Sequence, residues 1–201
     1  MPVKENVDVF VKWAKARLDE MSADAKTLDA NMTQMNTDMR AQAEQSVKQM
    51  NDWVAQGQAK VAEVQAQGGD AVANGQVFIN QLWDQFQTQS DDWAEKAQTQ
   101  QAAFEARAKA QVQSWQDMVD SYVKLAGQAH EQHKAEAEAQ LAKLKDQAAQ
   151  AQDQIQAQMA QFQTAGQTTW AAFKEALNDS REAFSKAVEM TDDDFNKPKK
   201  D

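Results

Sequence analysis

Cysteine is absent from the 201 residues, which excludes disulfides, thiol nucleophiles and Cys-based zinc sites and leaves the chain compatible with a reducing compartment. Proline occurs twice and glycine six times, and β-branched runs are scarce, so a sheet of any size is not expected. No apolar run approaches the roughly 20 residues that a membrane-spanning helix needs. The first twenty residues carry Lys4, Glu5, Asp8, Lys12, Lys15, Arg17, Asp19 and Glu20, which leaves no uncharged core for a signal peptide. The expected location is therefore the cytoplasm.

Basic residues are in the minority, 21 Lys and Arg against 31 Asp and Glu, for a formal charge of −10. Phosphate contacts need clustered cations that displace counterions, so nucleic acid is an unsuitable partner, and anionic membranes are disfavoured for the same reason. The tight basic group Lys197, Lys199 and Lys200 stands beside Asp192, Asp193, Asp194 and Asp201, the pattern of a solvated tail over residues 191–201.

What is abundant is helix-forming. The chain holds 37 Ala and 31 Gln, and its large apolar side chains fall in a regular pattern. Leu82, Trp93, Phe104 and Trp115 are spaced by eleven, as are Phe162, Phe173, Phe184 and Phe195. Two further series run Leu28, Met39, Met50, Val61, Val72, Trp83 and His133, Leu144, Ile155, Gly166, Leu177, Val188. Eleven residues over three turns is about 3.67 per turn, close to the relaxed helix, so each series marks one face. Acid precedes base by four residues at Asp8 and Lys12, Glu44 and Lys48, Asp92 and Lys96, Glu105 and Lys109, Asp120 and Lys124, and Glu182 and Lys186, the favourable helical order.

Breaks are few. In QAQGGDAVANGQ, residues 65–76, the glycines and Asn74 predict a reversal near 68–75. Gly127 and Gly166 each mark a kink or a turn, and Thr168 and Thr169 favour a helix start just before Trp170. The predicted segments are 4–66, 76–126, 128–164 and 168–190, within one domain over 1–190. On this reading Trp93, Phe104 and Trp115 share one side of one long helix. A helix of about 60 residues is about 90 Å long, so the expected fold is all-α, with long amphipathic helices in an elongated antiparallel bundle or coiled coil.

Candidate sites are sparse. Met32, Met35 and Met39 would share a helix face and offer three thioethers to a soft ion such as Cu(I), but the same positions are already required by the apolar stripe. His130, His133 and Glu136 follow one another at steps of three, without the spacing of a zinc-protease helix or of a di-iron bundle. His133 falls on the stripe, where a polar residue can fix register. Asp92 and Glu95 have the spacing of a helix cap. MTDDDF starts like a calcium loop but lacks its glycine and its final glutamate. No phosphate loop, nucleophile elbow or Ser/His/Asp set is present, and neither enzyme activity nor a cofactor is expected.

The stretch AGQTTWAAFKEALNDSREAFSKAVE, residues 165–189, resembles the aromatic helix near the end of small bacterial coiled-coil proteins associated with stress responses, through Gly166, Trp170, Phe173, Lys174, Leu177, Phe184 and Val188. More broadly, the eleven-residue repeat and the Ala and Gln richness look like phasins and apolipoprotein-type coats, whose helices cover granules or lipid particles. The apolar pattern itself suggests a non-enzymatic helical scaffold that self-associates, its stripe residues Leu82, Trp93, Phe104, Trp115, Phe162, Trp170, Phe173, Leu177, Phe184 and Val188 burying against each other within or between chains, and the first resemblance adds a link to stress. The second implies a coat on a neutral hydrophobic surface, since the polar face is acidic and lacks a basic rim. Trp suits boundaries with one wet edge, and the spread of Trp13, Trp53, Trp83, Trp93, Trp115 and Trp170 along the chain favours the coat. The thin apolar content of residues 126–154, with Leu141 and Leu144 as the large aliphatics, favours the scaffold.

Overall fold

The computed structural model describes residues 7–97, 99–127, 131–165 and 170–196. Among these there is no strand, and the α-helices are α1 (Val7–Asn31), α2 (Thr37–Gln67), α3 (Val72–Lys96), α4 (Gln100–Gly127), α5 (Glu131–Ala165) and α6 (Trp170–Asn196). No described helix is long and apolar enough to cross a membrane. Where the sequence pattern suggests one domain over 1–190, the chain forms two compact units, residues 1–110 and 111–201, with the division inside α4.

The helix expected over 4–66 is two helices. α1 stops at Asn31, whose side-chain amide donates to the Thr27 carbonyl at 2.7 Å, and a 3-10 turn follows over Met32–Gln34. Met35 is extended, and Asn36 caps α2 by accepting a hydrogen bond from the Met39 amide at 3.0 Å. Arg40 reaches back to the carbonyls of Met32, Thr33 and Met35 at 3.2 to 3.3 Å. Short polar side chains that compete for backbone groups thus end a helix that the apolar spacing alone would continue.

The expected reversal near 68–75 is narrower than predicted. Gly68 takes φ +86, and its amide closes α2 on the Val64 carbonyl at 2.9 Å. A Cβ at Gly68 would meet nothing within 4 Å, so backbone conformation and not space selects glycine there. Asn74 and Gly75 already lie inside α3. At Gly75 a Cβ would come within 2.6 Å of Val64 and 2.8 Å of Phe10, and at Gly57 within 2.4 Å of Leu18. These two glycines let helices approach closely, a packing role rather than a turn.

The helix expected over 76–126 is also two, with α3 ending at Lys96 and α4 starting at Gln100. Thr99 bridges the break, since its amide donates to the Ala94 carbonyl and its own carbonyl accepts from the Ala103 amide, each at 2.9 Å. Asp92, expected as a cap, lies within α3 and pairs with Lys96 at 2.6 Å. Gly127 is the last residue of α4, and Gly166 lies outside the described residues. α6 runs on to Asn196, so the expected flexible tail from 191 is helical in its first part, and 197–201 lie outside the described residues.

In the first unit α1, α2 and α3 all pack on one another, and the buried set includes Phe10, Trp13, Leu18, Met21, Met50, Val64, Ile79, Phe86 and Trp93. In α2 the buried positions Ala43, Val47, Met50, Val54, Gly57 and Val64 advance by fours and threes, with half-buried Val61 completing the series. That is a cycle of seven. A seven-residue count drifts about 20° per heptad on a straight helix, and a stripe about 100° wide absorbs that drift over three heptads, so the buried face of α2 follows sevens where the sequence series runs by elevens. In the second unit α5 packs on α6, and Leu144, Ile155, Phe173, Leu177 and Val188 are buried.

Candidate functional site

Placed on these helices, the stripe residues turn inward. Leu82 and Trp93 are buried on α3, Phe104 and Trp115 on α4, and Phe173, Leu177, Phe184 and Val188 on α6. Because α3 ends at Lys96 and α4 starts at Gln100, Trp93 does not share a helix with Phe104 and Trp115, contrary to the single long helix expected from their spacing. Within the second unit, Trp115 stands edge-on to Phe184 with ring centroids 5.3 Å apart, and its indole N–H faces the Ser180 hydroxyl at 3.5 Å. Gln111 donates to the Leu177 carbonyl at 3.0 Å. Phe162 and Trp170 belong to α5 and α6, but their side chains lie outside the described residues.

Trp13, Trp53, Trp83, Trp93 and Trp115 are all buried. The half-buried Arg17 guanidinium lies over two of these rings, 4.6 Å from the Trp13 centroid and 5.6 Å from that of Trp83. The spread of Trp along the sequence therefore reflects helix packing in this structure and not a row of exposed boundary residues. Among the described residues, the large hydrophobic side chains left exposed are Val77 and Val123.

Met32, Met35 and Met39 do not share a helix face, because they occupy a 3-10 turn, an extended residue and the first turn of α2. All three are half-buried. His133 is on α5 with its side chain outside the described residues, and His130 lies outside them altogether. Among the described residues, no group of three or more His, Cys, Asp or Glu is arranged to hold a metal ion.

The densest chemistry lies in a cluster that the apolar spacing passes over. Arg107 of α4 is 1% exposed, and its Nη2 and Nε donate to Asp24 Oδ2 of α1 at 2.8 and 3.0 Å. Nη1 and Nη2 also reach Asp91 Oδ1 of α3 at 3.3 Å. Ser90 links the two partners, accepting from Arg107 and donating to Asp24. Burial alone would push the guanidinium down from its ordinary value, but the negative charges of Asp24, Asp91 and Glu20 and the hydrogen bond to Asp24 outweigh it, so Arg107 ends above that value and stays protonated. The Phe86 ring centroid lies 6.0 Å from the guanidinium carbon.

Beside the cluster is a cavity of about 10 Å³ lined in part by Asp24, Thr27, Ser90 and Trp93, space for one water molecule. The arrangement suits a fixed internal clamp joining three helices and gives no room for an organic substrate. Its signal was present in the sequence. Asp24 stands three residues after Met21 and four before Leu28, Ser90 four after Phe86 and three before Trp93, and Arg107 three after Phe104. Each occupies a stripe position, which a count of apolar residues alone skips. No protein-family model, curated protein or solved structure matches the chain.

Proposed function

We propose that the chain is a non-enzymatic helical scaffold whose aromatic and aliphatic stripes assemble the helices within each unit, leaving association between chains to the outer surface. The observation that carries this reading is the burial of the described stripe residues, Leu82, Trp93, Phe104, Trp115, Phe173, Leu177, Phe184 and Val188, inside one chain, with Val77 and Val123 as the large apolar side chains left outside among the described residues. Contacts along the first unit support antiparallel neighbours: Val64 of α2 faces Gly75 of α3, while Gln49 of α2 meets Gln89 of α3. The similarity of residues 165–189 to stress-associated coiled-coil proteins supports a protective role in the cytoplasm.

A coat on neutral granules or lipid particles is the second reading; α5 itself offers little apolar surface to adsorb, and what favours the coat is the weak hold of α5 on α6. The buried face of α5 is mostly Ala137, Ala148 and Ala151, with Leu144 and Ile155 as its described large aliphatics. Small side chains bury little area, at roughly 25 cal/mol per Å², so a hydrophobic surface competes more readily for α6 than for the helices of the first unit. Flotation with neutral lipid droplets separates the readings. A scaffold stays in the lower fractions, and recovery of the protein in the droplet layer would replace it with the coat.

A further inference from the structure

An open groove of about 350 Å³ runs along the second unit between α4 and α5. Its α4 wall carries Val119 and Asp120, and its α5 wall carries Lys145, Ala148 and Ala149. Val123, 41% exposed, lies one turn beyond Val119 on the same helix. Asp120 and Lys145 are both exposed, and neither has a hydrogen-bond or ion-pair partner among the described residues. The favourable sequence spacing of Asp120 and Lys124 does not lead to an ion pair in the structure.

We propose that this groove is a self-complementary docking surface for a second copy of the chain, an inference that rests on the scaffold reading. Opposite charges stand on opposite walls of one groove, which Ala148 and Ala149 line on the α5 side and Gln116 and Gln152 complete. A two-fold axis through such a groove brings Asp120 of each copy to Lys145 of its partner, so the same residues serve both sides of the contact. The small alanines of α5 let a neighbouring helix approach, and Val119 and Val123 gain cover. The chain carries −10 overall, so two copies meet most readily where acid faces base, and the groove offers one of each in Asp120 and Lys145. Exposed ion pairs are weak individually, so they set orientation and partner choice more than strength.

The test measures mass against concentration by sedimentation for the full chain and for Asp120→Lys, Lys145→Asp and the double exchange. Circular dichroism checks that each variant keeps its helix, as expected for exposed positions. The native chain should form dimers, each single reversal should weaken them roughly tenfold by replacing two attractive pairs with two repulsive ones, and the double exchange should recover the native affinity. Dimers that ignore the single reversals, or a double exchange that recovers nothing, would overturn the groove while leaving self-association intact. A native chain that stays monomeric at every concentration would overturn self-association and the groove together.

Discussion

The two units bury polar groups in different ways. In the first, a fully buried guanidinium is answered across helices by carboxylates, Arg107 with Asp24 and Asp91. Among the described residues of the second, neutral contacts cross between helices, the Gln111 amide on the Leu177 carbonyl and the Trp115 indole facing Ser180, and the buried Arg181 donates to Asn178 of its own helix. A buried ion pair gains strong attraction but loses the hydration of both charges, so its net contribution is small and its partners are costly to separate. Neutral hydrogen bonds lose less on desolvation and gain less. The Arg107 cluster is thus expected to discriminate strongly between right and wrong helix placement, and the Gln111 hydrogen bond to be lost at smaller cost.

The sharpest way to break this contrast is to remove one charge. Asp24→Ala takes from the buried Arg107 its shortest charged contacts, leaving Ser90 and the longer ones to Asp91, and should cost about 3–5 kcal/mol, while replacing Asp24 and Arg107 together by Leu and Met should recover much of that loss. Denaturant titration reads the difference, and equal losses in the single and double variants would show that the pair contributes stability rather than placement. Trp115→Ala removes the ring packed on Phe184 and should also cost about 3–5 kcal/mol, but with increased amide exchange confined to 111–201.

Smaller effects sharpen the comparison. Gly57→Ala places a methyl group 2.4 Å from the end of Leu18, a side chain able to turn aside, so a cost of about 1–3 kcal/mol is expected by thermal melting. Gln111→Leu leaves the Leu177 carbonyl without this donor and should cost about 1–3 kcal/mol, below the loss from Asp24→Ala.

The smallest effect is at Glu63, whose hydrogen bond from Lys60 holds its carboxyl below the ordinary value. A lowered folded-state value stabilises above the unfolded-state value and is lost as pH falls through the folded one. Because Glu63 is exposed, Glu63→Gln should leave the acid side of the stability profile almost unchanged.

How much of this was legible in the sequence differs by level. Helix, and the inward side of most of it, followed from the spacing of Leu82, Phe104, Trp115, Phe173 and Leu177, because any period near 3.6 selects one face. The break at 32–36 and the end of α3 at Lys96 were not legible from that spacing. Apolar residues keep their rhythm across both, and local hydrogen bonding by Asn31, Asn36, Arg40 and Thr99 decides against continuity. The Arg107 cluster stayed hidden because its partners are distant in sequence, with Asp24 and Arg107 83 residues apart. A charged residue in stripe register was the available sign. Gly75 misled in the other direction, since a glycine needed for close helix contact has the same letter as one needed for a turn.

Tryptophan emission, recorded with and without neutral lipid droplets, tests most directly whether the stripes face inward. The five buried rings, from Trp13 to Trp115, should give the native protein an emission clearly to the blue of its denatured form, resistant to acrylamide and unmoved by droplets. Emission at the denatured position, or a blue shift that appears only when droplets are added, would contradict it.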